Sequence, residues 1–180
     1  MQRNEESAYG LGVKHKLVVL AEPDDRWPKA YAEEAECIRL VLGALAIDIQ
    51  HFGSTSIPGI RAKPVIDIIV GIRRFEDGSD CIKPMESIGY DYAGADIVPD
   101  DHIFGRGIKQ QTRTHLVHIV EHQGFHWRRN LLFRDKLRTN AALASEYEDL
   151  KISLAAKFSG DRAAYTDAKK AFIDKVVGNG

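Results

Sequence analysis

Long apolar runs are missing from this sequence: no stretch is apolar for long enough to span a bilayer, and nothing resembles a secretory signal. Those absences point to a soluble chain in a cytoplasmic setting with no membrane partner. Cysteine is scarce as well. Cys37 and Cys81 stand alone, without metal-ligand spacing, each inside an apolar helical pattern. They read as small buried hydrophobes and suit a reducing compartment. An excess of either charge is also lacking, with 25 Lys and Arg against 26 Asp and Glu and a net charge of -1. The balance gives no global case for a nucleic-acid or membrane partner, although local basic clusters could still bind phosphates.

What is present is a substantial apolar fraction, 44% of 180 residues, enough for the core of one domain. The first fifteen residues are polar and irregular and read as a flexible tail, leaving 16–177 as a single domain. Lys16–Leu20 reads as a short first strand. Asp24 or Asp25 can cap a helix with Trp27 and Pro28 in its first turn, along which Tyr31, Ala35, Ile38, Leu42 and Leu45 recur at helical spacing. Ile47–Phe52 alternates as a strand does, and Val65–Val70 is a second, more apolar strand. A helix over Asp77–Ile88 is interrupted by Pro84. Strands are expected near Tyr90–Ala93 and His102–Arg106 and over Thr114–Val120. Helices are expected over His126–Arg138, Leu143–Phe158 and Arg162–Val177, the last with Asp161 as N-cap. The pattern is α+β, a mixed sheet followed by a helical C-terminal third.

Chemistry concentrates in the segment from His51 to Asp67. After the strand carrying His51, the turn Gly53-Ser54-Thr55-Ser56 offers a backbone that a ligand can approach closely, free N–H groups and hydroxyls. Such a turn can hold a phosphate, and it can equally be an ordinary connection. Beyond Lys63-Pro64 the strand Val65-Ile66-Asp67-Ile68-Ile69-Val70 carries one acid. A carboxylate there is costly to bury unless it is paired or binds a metal. A salt bridge to Lys63 or Arg106 is one solution, and a metal ion or a basic substrate group is the other. Arg106, between Gly105 and Gly107, sits where a cation could reach a ligand. Arg134 and Arg138 share a helix face near Asp135, and with Arg128 and Lys169 they are candidate phosphate or carboxylate binders or simply a solvated face.

The run HFGSTSIPGIRAKPVIDIIVGI, residues 51–72, resembles the signature of the GrpB family, a branch of the nucleotidyltransferase fold superfamily that also occurs fused to dephospho-CoA kinases. Val18, Trp27 and Pro28 upstream resemble the family's opening. Trp127-Arg128-Arg129, Leu132–Asp135, Tyr165-Thr166, Lys169 and Phe172-Ile173 resemble its C-terminal helices, so the likeness spans about residues 16 to 177. The resemblance implies a nucleotidyltransferase-like mixed sheet flanked by helices, with a C-terminal helical group. In catalytic members of the superfamily, two acids stand two residues apart on the strand that holds Asp67, and a third lies on a neighbouring one. Here Ile69 follows Asp67, which removes one carboxylate from the two-metal clamp used in phosphoryl transfer. His115 and His118, three apart on a strand, face opposite sides. The resemblance favours His118 for the cleft, with Leu116 where a further histidine is expected.

Three functions follow. The first is a nucleotidyltransferase-like protein with an unknown acceptor. In it Asp67 and His118 are catalytic and metal-binding with Mg²⁺ or Mn²⁺, and His51, Gly53, Ser54, Thr55, Lys63, Arg106, Arg134 and Lys169 line the site of a nucleotide or other phosphate-bearing small molecule. The second is a non-catalytic nucleotide- or CoA-binding module. The third, ranked last because no compact zinc motif is present, is a hydrolase using Asp67 and histidines with Zn²⁺ or Mn²⁺.

Overall fold

The computed structural model describes residues 9–14, 17–108 and 112–178. Its elements in chain order are β1 (Val13–Lys14), α1 (Trp27–Leu42), β2 (Asp48–Phe52), β3 (Ile66–Ile72), α2 (Ile82–Ser87), β4 (Tyr90–Gly94), β5 (His102–Arg106), β6 (Thr112–Arg113), β7 (His115–Glu121), α3 (Phe125–Thr139), α4 (Ala141–Lys157), α5 (Arg162–Ala168) and α6 (Lys170–Val177). Five strands form one sheet in the order β2-β3-β7-β5-β4, with β3 and β7 parallel and every other neighbour antiparallel. β1 and β6 form a separate antiparallel pair. The architecture is α+β: a mixed sheet flanked by helices, then a C-terminal helical group.

Strand alternation assigns the two faces of the sheet. One face, with Ile49, Ile66, Ile68, Val70, Val117, Ile119 and Phe104, packs against Trp27, Ala30, Ala35, Ile38 and Leu42 of α1 and Met85 of α2. The other face carries Phe52, Ile69 and Val120 against Trp127 and Leu131 of α3. β3 lies inside the sheet and is covered on both faces, which accounts for its almost unbroken apolar run. A second core, of Ile57, Ile60, Leu137, Ala144, Tyr147 and Val176, fixes the C-terminal helices to the chain between β2 and β3. The helical group is thereby held against the segment that holds the candidate site.

Several expectations are corrected. The strand expected at Lys16–Leu20 is absent from residues 17–20, while Lys16 lies outside the described residues; Ala21 makes a single bridge to Ala62 instead. Part of the expected tail is packed: Leu11 is buried in the main core, and the Gly12 amide donates to the Pro64 carbonyl at 2.9 Å. α1 begins at Trp27 without a side-chain cap; Asp24, whose carboxylate accepts from the Arg26 amide, stands two residues before the N-cap position. The helix expected from Asp77 starts as a tight 3-10 coil over Phe75–Cys81, and Pro84 then falls in the first turn of α2, where its missing N–H costs nothing. The last expected helix is two, broken at Lys169.

Arg134 ties the halves together. It is buried on α3, and its guanidinium donates to the His51 carbonyl at 2.9 Å, the Gln50 side chain at 3.0 Å and Asp135 at 2.7 Å. Arg134→Leu should leave the His51 carbonyl unpaired and lower stability by about 1–3 kcal/mol, the cost of orphaning a buried polar group. Urea denaturation measures this; an unchanged midpoint would mean that the tie is dispensable.

Candidate functional site

β2 ends at Phe52, and Gly53 follows with φ 68 and ψ -176, a conformation essentially restricted to glycine. The space over its Cα is already taken. A Cβ at position 53 would stand 2.9 Å from Cβ and Cγ of Asp67 and closer still to its Oδ2. Phe52 and Asp67 are register partners across the β2–β3 ladder, so the turn after one strand closes over the carboxylate on the next. The sequence suggested that glycine leaves room for a ligand; in the structure the group filling that room is Asp67.

Ser54–Ser56 form a 3-10 turn, closed by the Ser56 amide and hydroxyl on the Gly53 carbonyl and by the Ile57 amide on the Ser54 carbonyl. The Ser54 and Thr55 amides lie outside those bonds. Ser54 faces the buried Tyr147 of α4: burial raises the phenol to about 12, opposed by a hydrogen bond from Ser54 and reinforced by the charge of Asp67. Thr55 is turned away, its hydroxyl donating to the Val65 carbonyl at 3.3 Å and contacting His51 Nε2 at 3.0 Å.

Around Asp67 the charges are mostly positive. Asp67 keeps some surface open to solvent but is otherwise enclosed by protein. Burial pushes its pKa upward, against the opposing charges of Lys63, His118, Lys169 and Arg162. Burial lowers Lys63 to about 7, helped by Arg162 and Lys169 and resisted by Asp67. Burial likewise lowers Lys169 to about 8. The Lys169 ammonium lies over the Tyr165 ring, 4.4 Å from its centroid. Lys151, next to these groups on α4, donates to the Arg61 carbonyl and lies 5.1 Å from the Tyr147 centroid.

His118 pairs with Ile69 across the parallel β3–β7 ladder and so shares the Asp67 face. Its ring meets Phe52 edge-on at 5.3 Å, and Nδ1 is 2.6 Å from Oδ2 of the buried Asp101. Burial alone would lower the His118 pKa, but the Asp101 hydrogen bond and the charges of Asp101 and Asp67 reverse the sign and raise it. The other Asp101 oxygen has no hydrogen-bond partner.

The structure thus gathers Gly53, Ser54, Lys63, Asp67, His118 and Lys169 on one face. Four other sequence candidates lie elsewhere. His51 is on the opposite face, stacked on Tyr31 at 4.7 Å and lowered to about 3 by burial, Arg138 and Arg134. Thr55 serves the turn. Arg106 pairs with Glu34 of α1 at 2.5 Å, also on the far face, which removes it as the partner considered for Asp67. Arg134 binds β2. Sequence reasoning missed Asp101, Tyr147 and Arg162, for which it had at most a weak signal: two fall in a loop and on a helix face, and Arg162 was seen only as a helix start.

A metal site was tested on the donors present. Among the described residues, no group of three or more His, Cys, Asp or Glu side chains could hold a metal ion. Among the described residues Asp67 is the carboxylate that acts on this cluster, Ile69 is completely buried, Leu116 is a register partner of Asp67, and Asp101 is engaged with His118. These residues do not fit a metal ion held by the protein, so Asp67 and His118 lack the company that the expected Mg²⁺ or Mn²⁺ site required.

This sheet and its helical group define a nucleotidyltransferase fold. A structure of the Cid1 poly(U) polymerase with Mg 3'-dATP bound is similar at a TM-score of 0.54 and 12% identity, over 82% of this chain and 49% of that one, a likeness of fold alone. The chain belongs to the GrpB family, whose model, described as GrpB protein, matches residues 17–179. It is 35% identical to the glutamate-rich protein GrpB of Alkalihalophilus pseudofirmus, over 93% of this chain and 98% of that protein. The crystal structure of the conserved protein GrpB from Enterococcus faecalis is similar at a TM-score of 0.79 and 32% identity, over 88% of this chain and 94% of that one. A dephospho-CoA kinase of Mycolicibacterium paratuberculosis is 29% identical over 90 residues, 47% of this chain and 22% of that protein.

Two measurements probe the geometry. Gly53→Ala should destabilise the fold by on the order of 1–3 kcal/mol from backbone strain, before the collision with Asp67 is added; a thermal midpoint within error of the parent would refute the packing described. Asp101→Asn should lower the His118 pKa as followed by NMR. Because the folded pKa is raised, the stability it contributes is complete below the ordinary value of 6.5 and is lost as pH rises through the folded value. The variant should lack this pH dependence.

Proposed function

We propose that this protein binds a nucleotide or another phosphate-bearing small molecule at the group formed by Ser54, Lys63, Asp67, Tyr147, Arg162 and Lys169. The observation that carries the reading is the convergence of Lys63, Lys169 and Arg162 on a single carboxylate. Three basic groups stand against one acid in a largely buried place; burial lowers both lysines, and repulsion from Arg162 adds to it. An anionic ligand relieves that repulsion, and the Ser54 and Tyr147 hydroxyls add hydrogen-bonding groups next to it. The match to part of a dephospho-CoA kinase makes a CoA-like phosphate ligand a reasonable member of the class.

Nucleotidyl transfer to an acceptor is the second reading. It is favoured by the His118–Asp101 pair, which shares a face with Asp67. In a pair so arranged the carboxylate holds the imidazole by one nitrogen, leaving the other to take a proton from an acceptor hydroxyl.

A thermal-shift panel of nucleotides, CoA derivatives and inorganic phosphates tests the first reading, with affinities measured for those that stabilise. Ser54→Ala should cost about 0.5–1.5 kcal/mol of affinity, the net worth of one hydrogen bond, and Arg162→Gln should cost more because a charge is lost. If no phosphate-bearing compound binds, or both variants bind as the parent does, this group is not the site. Pyrophosphate release would establish transfer; tight binding without turnover would leave a binding module.

A further inference from the structure

We propose that this site holds its anionic ligand without a divalent metal ion, the ammonium groups of Lys63 and Lys169 and the guanidinium of Arg162 supplying the positive charge. This inference rests on the phosphate-binding reading above and concerns how that site neutralises its ligand.

A second carboxylate would have to stand beside Asp67 on β3 or on β7. Two residues along β3 from Asp67, on the same face, is Ile69, completely buried against α3. Beside Asp67 on β7, in parallel register, is Leu116. Both flanking positions are apolar, and Asp101 is turned to His118. A Mg²⁺ ion at a phosphate site is held by one or two carboxylates together with substrate oxygens and water, and among the described residues Asp67 alone stands here, with no second acid beside it. The neighbours of that carboxylate are cationic. Lys63, Lys169 and Arg162 all act on Asp67, and His118 adds to them when protonated. A divalent ion would enter against this charge, whereas a phosphate enters with it.

The cations are also placed rather than loose. Lys63 stands at the mouth of β3, where the Val65 amide donates to its carbonyl at 2.7 Å in a tight turn. Lys169 occupies the break between α5 and α6, with its ammonium on the face of the buried Tyr165. Asp67 acts here as a positioning residue. Its charge keeps the two lysines toward their protonated forms, against the burial that would neutralise them.

Isothermal titration of ATP and of inorganic pyrophosphate, each in EDTA and in excess Mg²⁺, tests the inference on the full chain. The expected result is binding in EDTA at least as tight as in Mg²⁺, which ties up the free anion. Lys63→Gln and Lys169→Gln, checked for folding by circular dichroism, should each weaken binding in EDTA on the order of tenfold, while Lys169→Arg should retain most of it. Mn²⁺ added alone should keep its free-ion EPR signal in the presence of the protein. Binding that requires Mg²⁺, or a stoichiometric Mn²⁺ site in the ligand-free protein, would overturn metal-independent binding while leaving a phosphate site in place; affinity in EDTA indifferent to both glutamine substitutions would overturn the role given to the lysines. No binding in either buffer would remove the phosphate site itself and this inference with it.

Discussion

The contact between Gly53 and the Asp67 carboxyl is the constraint on which the rest of the candidate site depends. It requires a glycine-only backbone at the end of β2 and a side chain on the outer face of β3, brought together by one ladder register. A slip of one residue would move Asp67 to the face that packs on α1, among Ile38, Val117 and Ile119, where an acid has no partner. The apolar alternation of β3 therefore defends the position of its one acid: burying four isoleucines and valines correctly is the same event as turning Asp67 outward. The Thr55 hydroxyl on the Val65 carbonyl and the Ser56 hydroxyl on the Gly53 carbonyl then lock the turn between the strands.

The helical group completes the electrostatics from the other side. Its core, with Leu137, Tyr147 and Val176, reaches across to Ile57 and Ile60, so the elements bearing Tyr147, Tyr165 and Lys169 are held against the same turn. Aromatic rings do part of the positioning. Tyr165 and Tyr147 each present a face to an ammonium, of Lys169 and Lys151, while both rings remain buried. An ammonium over a ring keeps its charge more easily than one against aliphatic carbon, a counterweight to the desolvation that lowers both lysines.

Much of the scaffold was legible in the sequence, because its signals are local. Alternation in β2, the apolar run of β3 and the strand over His102–Arg106 were readable, as were the helical periodicities of α1, α3 and α4. The family signature directed attention to the right segment. The side chains that turned out to lie elsewhere share a cause: their partners are distant in sequence. Arg106 looked available on a glycine-flanked turn, but Glu34 waits 72 residues away on α1. Arg134 looked like part of a solvated helix face, but the strand it binds lies more than 80 residues upstream. Lys169 was readable as a basic residue; the helix break that seats it on Tyr165 was not, since nothing in Ala168-Lys169-Lys170 is a breaker. Asp101 has no local mark, because its meaning comes from a histidine 17 residues on.

The histidines carry the same lesson to the level of chemistry. His51, His115 and His118 are all strand residues with little exposure, and composition cannot rank them. Alternation sends His51 and His115 to the α1 face, where burial dominates and arginine charges add to it. Both are lowered to about 3 and remain neutral imidazoles at physiological pH. His118, three residues after His115, emerges on the opposite face. Burial acts on it in the same direction, yet the buried Asp101 and the outward Asp67 lie within reach and the shift changes sign. One residue type is thus split into two electrostatic roles by the period-two geometry of a strand and by which face holds carboxylates. Of these three strand histidines, the one on the Asp67 face is the one whose pKa is raised, because that face holds Asp67 and reaches Asp101, while Ile69 and Leu116 occupy the positions from which further carboxylates could have faced a metal.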